Sequence, residues 1–340
     1  MRRFAIPMLA VVAVTLTLAA SCTGPTISAV GETDELIIVH DESAPKPVLA
    51  GIETAMTRAI PWLLDEPSYR ATLTTPDEMG DLRNRRQILF VGVWGDGEVE
   101  RLVRRAPFGA ARGSPCTLLL TRDIWADGQI GAALVGTTYE DVLDYVEAHG
   151  EEILSRFLAT ALERDVERLC SGEKERAVAE GLAERFGWSL CVPPSYDMYT
   201  TGEGTRFVFF RRDRPDRSIF VYWQAGSSED VRPDFALGVR EELTERFYDG
   251  DTHEPRRPSV FDTVSFGGRE AVRVSAWWTN AELVGGGPFR TYCFHDPSDG
   301  RTYLVDVSLF APGLEKVQHM RNLDAVARTF AAGGEREGNR

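Results

Sequence analysis

The chain has 340 residues, 52 acidic against 38 basic, and a formal net charge of −14. That length suits two ordinary domains. So acidic a surface excludes nucleic acid and anionic lipid headgroups as electrostatic partners.

The start reads as an export signal. Met1-Arg2-Arg3 is a short basic opening, Phe4 to Leu18 is almost wholly apolar, and the small residues Ala19-Ala20-Ser21 precede Cys22. Basic, apolar and small-residue regions in that order make a secretory signal. The apolar run is shorter than the roughly 20 residues of a spanning helix. Cys22 directly after the small residues resembles a lipobox, whose cysteine is acylated and becomes the new N-terminus; Ala19 stands where that box usually carries Leu. We therefore expect a signal peptide over 1–21 and a lipidated tether over 22–34. The expected address is the cell envelope, at the periplasmic face of the outer membrane, with the membrane as partner through acyl chains on Cys22. Cleavage removes two arginines and no acid, which takes the formal charge from −14 to −16.

Beyond the tether, Glu35–Val39 is a short apolar run expected as a buried strand. Leu49, Ile52, Met56 and Ile60 share one helical face, which Pro61 ends. Gln87–Trp94 is a further strand, Val99, Leu102 and Val103 mark a short helix, and Cys116–Thr121 and Ile130–Val135 are two more strands. Thr137 and Glu140 have capping-box spacing and open the longest helix, with Val142, Val146, Ile153, Phe157 and Leu162 in one stripe. Alternating strands and helices predict a first domain, 35–170, built on a mixed sheet.

Ser171-Gly172-Glu173-Lys174 is the predicted boundary. A helix with Val178, Leu182 and Phe186 in register follows and ends at Gly187. Strands are expected at Ser189–Val192, Arg206–Phe210 and Ser218–Trp223, then a helix through Phe235, Val239, Leu243 and Phe247. Two long alternating stretches, Val272–Trp278 and Leu304–Leu309, predict an antiparallel sheet covered on one side. A closing helix with Val317, Met320, Leu323, Val326 and Phe330 supplies the cover. The fold class is α+β: two sheet-plus-helix domains, the second over 171–332 with a mainly antiparallel sheet backed by helices, then a disordered tail over 333–340.

Four cysteines remain after Cys22: Cys116, Cys170, Cys191 and Cys293. An oxidising compartment permits disulfides. Cys170 and Cys191 flank one predicted helix and are the preferred pair; the alternative is four small buried apolar side chains. No CxxC, HxH, HExxH, GxSxG or GxxxxGK[ST] pattern occurs among the cysteines, histidines, serines and glycines, so no metal site, cofactor or catalytic constellation is expected.

Two groups are candidates for binding. Asp123, Trp125 and Gln129 lie between two strands, where they form either a ligand platform or a packed turn closed by Asp127-Gly128. Trp277 and Trp278 lie beside Gly285-Gly286-Gly287-Pro288-Phe289. Adjacent strand side chains point to opposite faces, so one ring is expected in the core and the other exposed, where it meets a partner or glycan. The competing reading is a hairpin loop with both rings covered.

Several local patterns succeed one another: Glu66-Pro67 after Trp62-Leu63-Leu64, the Asp123–Gln129 run, Gly286-Gly287-Pro288-Phe289 with Tyr292, and Phe310-Ala311-Pro312-Gly313 before a last helix ending Thr329-Phe330. Their order and spacing, from Glu35 to Phe330, resemble a bacterial lipoprotein family known as domain of unknown function 4837. Ser275-Ala276-Trp277-Trp278 departs from the Arg-Gly-Leu-Trp-like run expected there. The resemblance implies the lipoprotein address and the layout of the chain, and no mechanism. The second half is also similar in topology to PsbP-type domains. The resulting expectation is an envelope lipoprotein with a non-catalytic binding or assembly role, whose partner is an envelope protein or glycan. The alternative is a periplasmic hydrolase acting on an envelope polymer.

Overall fold

The structure, a computed structural model, describes residues 27–95, 97–109, 115–202, 204 and 206–333. Cys22 and most of the expected tail lie outside them. No helix among the described residues is long and apolar enough to cross a membrane.

The first half alternates strands and helices. Strands β1 (Glu35–His40), β2 (Arg70–Thr74), β3 (Gln87–Val93), β4 (Cys116–Arg122) and β5 (Ile130–Gly136) form one sheet in the order β2-β1-β3-β5-β4. All pairs are parallel except β4 with β5. Both faces are covered, which is why β1, β3 and β5 read as unbroken apolar runs. Leu36, Ile38, Leu89, Val91, Ala132 and Leu134 pack on helices α1 (Lys46–Met56) and α3 (Tyr139–Ser171). Ile37, Val39, Ile88, Phe90 and Val135 pack on α2 (Glu98–Arg105).

Two helix ends differ from the sequence reading. Helix α1 stops at Met56, where Thr57 Oγ1 bonds back to the carbonyl of Glu53 at 2.8 Å. Ala59–Ile60 then pairs with Glu66–Pro67, and Pro61–Leu63 forms a single 3₁₀ turn. The capping box of α3 is Thr138 with Asp141, one residue beyond the expected Thr137 and Glu140. Thr137 is still held by the carbonyl of Pro115.

In the second half, α4 (Glu173–Phe186) leads into β6 (Asp197–Thr200), β7 (Phe207–Arg212), β8 (Asp216–Ala225), α5 (Pro233–Phe247), β9 (Val260–Phe266), β10 (Arg269–Asn280), β11 (Gly285–Asp296), β12 (Arg301–Phe310) and α6 (Val317–Arg328). The sheet runs β10-β11-β12-β8-β7-β6, wholly antiparallel, with β9 and the short Thr252–His253 strand both paired to β10. Of the expected strand Ser189–Val192, only Ser189 is in a strand; Trp188–Ser189 pairs with Ala331–Ala332.

This sheet is covered on both sides, not one. Tyr292, Phe294, Tyr303, Val305, Val307 and Leu309 pack beneath α6 and Trp188. Phe220, Val272, Val274, Phe289 and Leu304 pack beneath α5 through Ala236 and Leu243. The α5 core also encloses a charged pair. Arg240 Nε lies 3.0 Å from Asp306 Oδ2, each side chain is 1% exposed, and the guanidinium stacks 3.6 Å above the ring of Phe289.

The sequence between Ile27 and Asp34 is not a free tether. Ser28 bridges to Asp127, Val30 bridges to Arg85, and Thr33 and Asp34 are buried. Asp34 is fixed by a bidentate bond from Arg70, at 2.8 and 3.0 Å.

Candidate functional site

Asp123, Trp125 and Gln129 form a packed turn. Asp123 Oδ1 accepts the backbone N–H of Gly128 at 2.7 Å and Arg164 Nη2 at 2.9 Å. Gln129 is fully buried; its Nε2 donates to the carbonyls of Arg83 and Arg85, each at 2.7 Å, and its Oε1 accepts the N–H of Trp125. Trp125 packs edge-on to Phe90, centroids 5.6 Å apart. The polar groups of a ligand platform are thus engaged by the protein's own backbone and by Arg164.

Trp277 and Trp278 do point to opposite faces of β10, yet both are buried, at 6% and 9% exposure. The expected exposed ring does not exist, because each face has its own cover. Trp277 Nε1 donates to the carbonyl of Trp62 in the first half at 2.6 Å. Trp278 lies in the α5-side core and donates to the carbonyl of Leu309 at 3.3 Å. Phe289 is fully buried as well. The glycines before it are not a loop but the start of β11. A Cβ at Gly287 would overlap the carbonyl oxygen of Leu309, so this glycine permits close backbone approach.

Cys170 and Cys191 are joined by a disulfide, with Cα atoms 5.4 Å apart, linking the end of α3 to the segment after α4. Cys116 and Cys293 are buried, and burial pushes their thiols up to about 11 and about 12. Among the described residues no three histidine, cysteine or carboxylate side chains are placed to hold a metal. Ser259 Oγ lies 3.2 Å from His253 Nε2, but among the described residues no carboxylate bonds the other ring nitrogen. The orienting member of a hydrolytic triad is missing there.

A cavity between the halves was not foreseen. It measures ≈ 480 Å³ and is bounded by α3, the Pro61–Leu63 turn, the first-half face of β10 and β11, and α6. Leu154, Leu158 and Leu162 of α3 face Ile60, Leu63 and Met320 across it. These positions recur every four residues on α3, the spacing of one helical face.

The cavity's charge opposes that of the whole protein. Five arginines line it, Arg58, Arg273, Arg290, Arg321 and Arg328, against the carboxylates Glu151, Asp165 and Asp324. Arg58 pairs with Glu151 at 3.0 Å, Arg273 with Asp262 at 2.7 Å, and Arg290 with Asp324 at 3.1 Å. Arg321 and Arg328 have no carboxylate oxygen within 4.0 Å among the described residues. Arg321 donates to the carbonyls of Thr33 and Ser68 and lies over the ring of Tyr69. Arg328 donates to the carbonyl of Ser265 at 2.8 Å and lies 5.0 Å above the ring of Tyr292.

Buried polar groups around the cavity are also left over. The Tyr69 hydroxyl, Thr33 Oγ1 and Arg328 Nε meet no hydrogen-bond partner. Burial pushes the Tyr69 phenol up to about 12, which keeps it a neutral donor. Asp324 accepts the hydroxyl of Tyr292. Burial opposes its charge, but Arg290 and Arg328 outweigh that and hold its carboxyl below the usual range. One signal for the site stands in the sequence: Arg321 and Arg328 are seven residues apart and so share a face of α6.

No curated protein matches the chain. Among solved structures it is similar to the Ran-binding protein Mog1p of Saccharomyces cerevisiae, at 14% identity and a TM-score of 0.30, over 43% of this chain and 90% of that one. LpqN of Mycobacterium tuberculosis, described as involved in cell envelope biogenesis, is similar at 12% identity and 0.28, over 42% and 82%. A protein from Bacteroides thetaiotaomicron is similar at 14% and 0.27, over 45% and 47%. Likeness at this level carries no functional argument. Family models divide the chain close to the disulfide: one matches residues 29–170 and the other residues 175–329. The resemblance read across Glu35–Phe330 therefore holds for its second half, and the first half matches a different family. Residues 175–329 match the model of the family described as domain of unknown function DUF4837, and residues 29–170 that of the family described as DUF8532.

Proposed function

We propose that this protein is an envelope lipoprotein, anchored through acyl chains on Cys22, that binds an anionic ligand with an aliphatic body in the cavity between its halves. The observation that carries the reading is the pair Arg321 and Arg328, two cations with no carboxylate oxygen within 4.0 Å among the described residues, in the wall of one largely apolar cavity. In a chain of net charge −14, such a pair is not general surface charge. Guanidinium groups match carboxylate and phosphate oxygens in a planar fork, and the leucines of α3 offer an apolar wall to a hydrocarbon stem. A cavity of a few hundred Å³ with a few convergent polar groups is the usual form of a small-ligand site. The disulfide is consistent with an oxidising compartment.

Calorimetric titration with dodecanoate and dodecanol tests the ligand class. Dodecanoate should bind saturably, and Arg328→Gln should weaken it at least about tenfold, the equivalent of about 1.4 kcal/mol. Equal affinity for dodecanol, or unchanged binding by the variant, would refute the reading.

A further inference from the structure

A second cavity lies on the α5 face of the second sheet, the face turned away from the inter-half cavity. It measures ≈ 260 Å³ and lies where β8 begins and β10 and β12 end. Phe209, Phe247, Tyr248, Trp278 and Phe310 contribute aromatic walls. Leu283, 67% exposed, stands at its rim.

The charge balance here has the opposite sign to that between the halves: Asp216, Asp249 and Asp251 line the cavity against one guanidinium, Arg211, which is paired with Asp216 at 2.6 Å. Asp251 is only 8% exposed, and Asn280 Nδ2 donates to its Oδ1 at 2.9 Å. Among the described residues neither Asp251 nor Asp249 has a cation within 4.0 Å. The guanidinium of Arg240, whose charge acts on Asp251, is committed to Asp306. The buried hydroxyl of Tyr248 has no hydrogen-bond partner. A nearly buried carboxylate without a counter-charge is costly to hold, and burial accordingly raises Asp251 above the usual carboxylate range. Aromatic faces attract a cation through the ring quadrupole, so walls and floor favour the same kind of ligand.

We propose that this cavity binds an aliphatic primary ammonium group, with its charge against Asp251 and Asp249 and its methylene stem against Trp278 and Phe310. A free alkylamine and the lysine of a partner chain present the same chemistry. The inference stands independently of the proposed anion site.

The test is calorimetry on the full-length protein in detergent, with n-butylammonium, 1-butanol and a capped Gly-Lys-Gly peptide. Butylammonium should bind saturably and 1-butanol at least tenfold more weakly. Asp251→Asn, which keeps the acceptor for Asn280, should weaken the amine at least tenfold. Phe310→Ala, at a half-exposed ring, should weaken it several-fold. Should Asp251→Asn not fold, the exposed Asp249→Asn carries the same expectation. Tighter binding of the peptide assigns a lysine side chain as ligand; tighter binding of the free amine assigns a small molecule. Butanol binding as well as the amine, both Asp variants binding like the parent, or no saturable binding of either ammonium probe would overturn the proposal.

Discussion

Trp277 Nε1 and the carbonyl oxygen of Trp62 lie 2.6 Å apart, a hydrogen bond that joins the second half of the chain to the first. Trp277 belongs to β10 and Trp62 to the 3₁₀ turn after α1. Arg257 covers the indole from another side, 5.3 Å from its centroid.

Trp277→Phe keeps most of the buried surface and leaves the carbonyl of Trp62 unpaired. We expect a loss of about 1–3 kcal/mol. Trp278→Ala, which empties part of the α5-side core, should cost about 3–5 kcal/mol. Urea unfolding measures both, and a change within about 0.5 kcal/mol, the range of ordinary surface substitutions, would contradict the burial of either ring.

The Cys170–Cys191 bridge closes a loop with a sequence separation of 21. Loop-closure entropy for that length corresponds to about 3 kcal/mol. The double variant Cys170→Ser, Cys191→Ser should unfold at a correspondingly lower urea concentration. Reductant should destabilise the parent by a similar amount and leave the variant unchanged.

Arg240 and Asp306 are a buried pair in a core that is otherwise apolar and aromatic. Removing one partner strands the other charge, so Asp306→Asn should cost about 3–5 kcal/mol. Thr291 Oγ1, which donates to the same Oδ2 at 2.6 Å, carries no charge to neutralise the stranded Arg240 cation. Thermal unfolding checks this, and a melting temperature equal to the parent's would be the contrary result.

Asp324 contributes to the acid limb of stability. Its folded-state carboxyl is held below its unfolded value, because Arg290 and Arg328 outweigh the effect of burial. The stabilisation is therefore complete above about pH 4 and is lost as pH falls through the folded-state value. Asp324→Asn should flatten the stability profile below about pH 4 relative to the parent, as read by urea melts across pH.

The sequence pattern marked the long α3 stripe, the alternation of β10 and β12, and the parallel core strands, because period and burial agree there. It did not mark β11, since Gly285-Gly286-Gly287-Pro288 reads as a turn. Pairing on both sides, to β10 and to β12, overrides that local preference. Strands β2 and β9 were missed as well: each is short, half exposed and paired on one side only. The error over the tryptophans has another origin. Period two correctly assigned them to opposite faces, but which elements cover each face is set by the docking of Trp62 and α5, and no local pattern encodes that. The inter-half cavity was hidden for the same reason. Its arginines come from β10, β11 and α6 as well as the first half, and only tertiary assembly turns them towards one space.

The backbone pairing of Ser28 with Asp127 sets a leash length. Only five residues separate Ser28 from Cys22, and the six steps of chain between the two span at most about 20 Å when fully extended. That is less than the roughly 30 Å thickness of a bilayer's hydrocarbon core. With acyl chains on Cys22, the globule would be moored against the headgroups, with its Asp127 hairpin turned towards them. Anything it captures would have to arrive at, or leave from, the membrane surface itself.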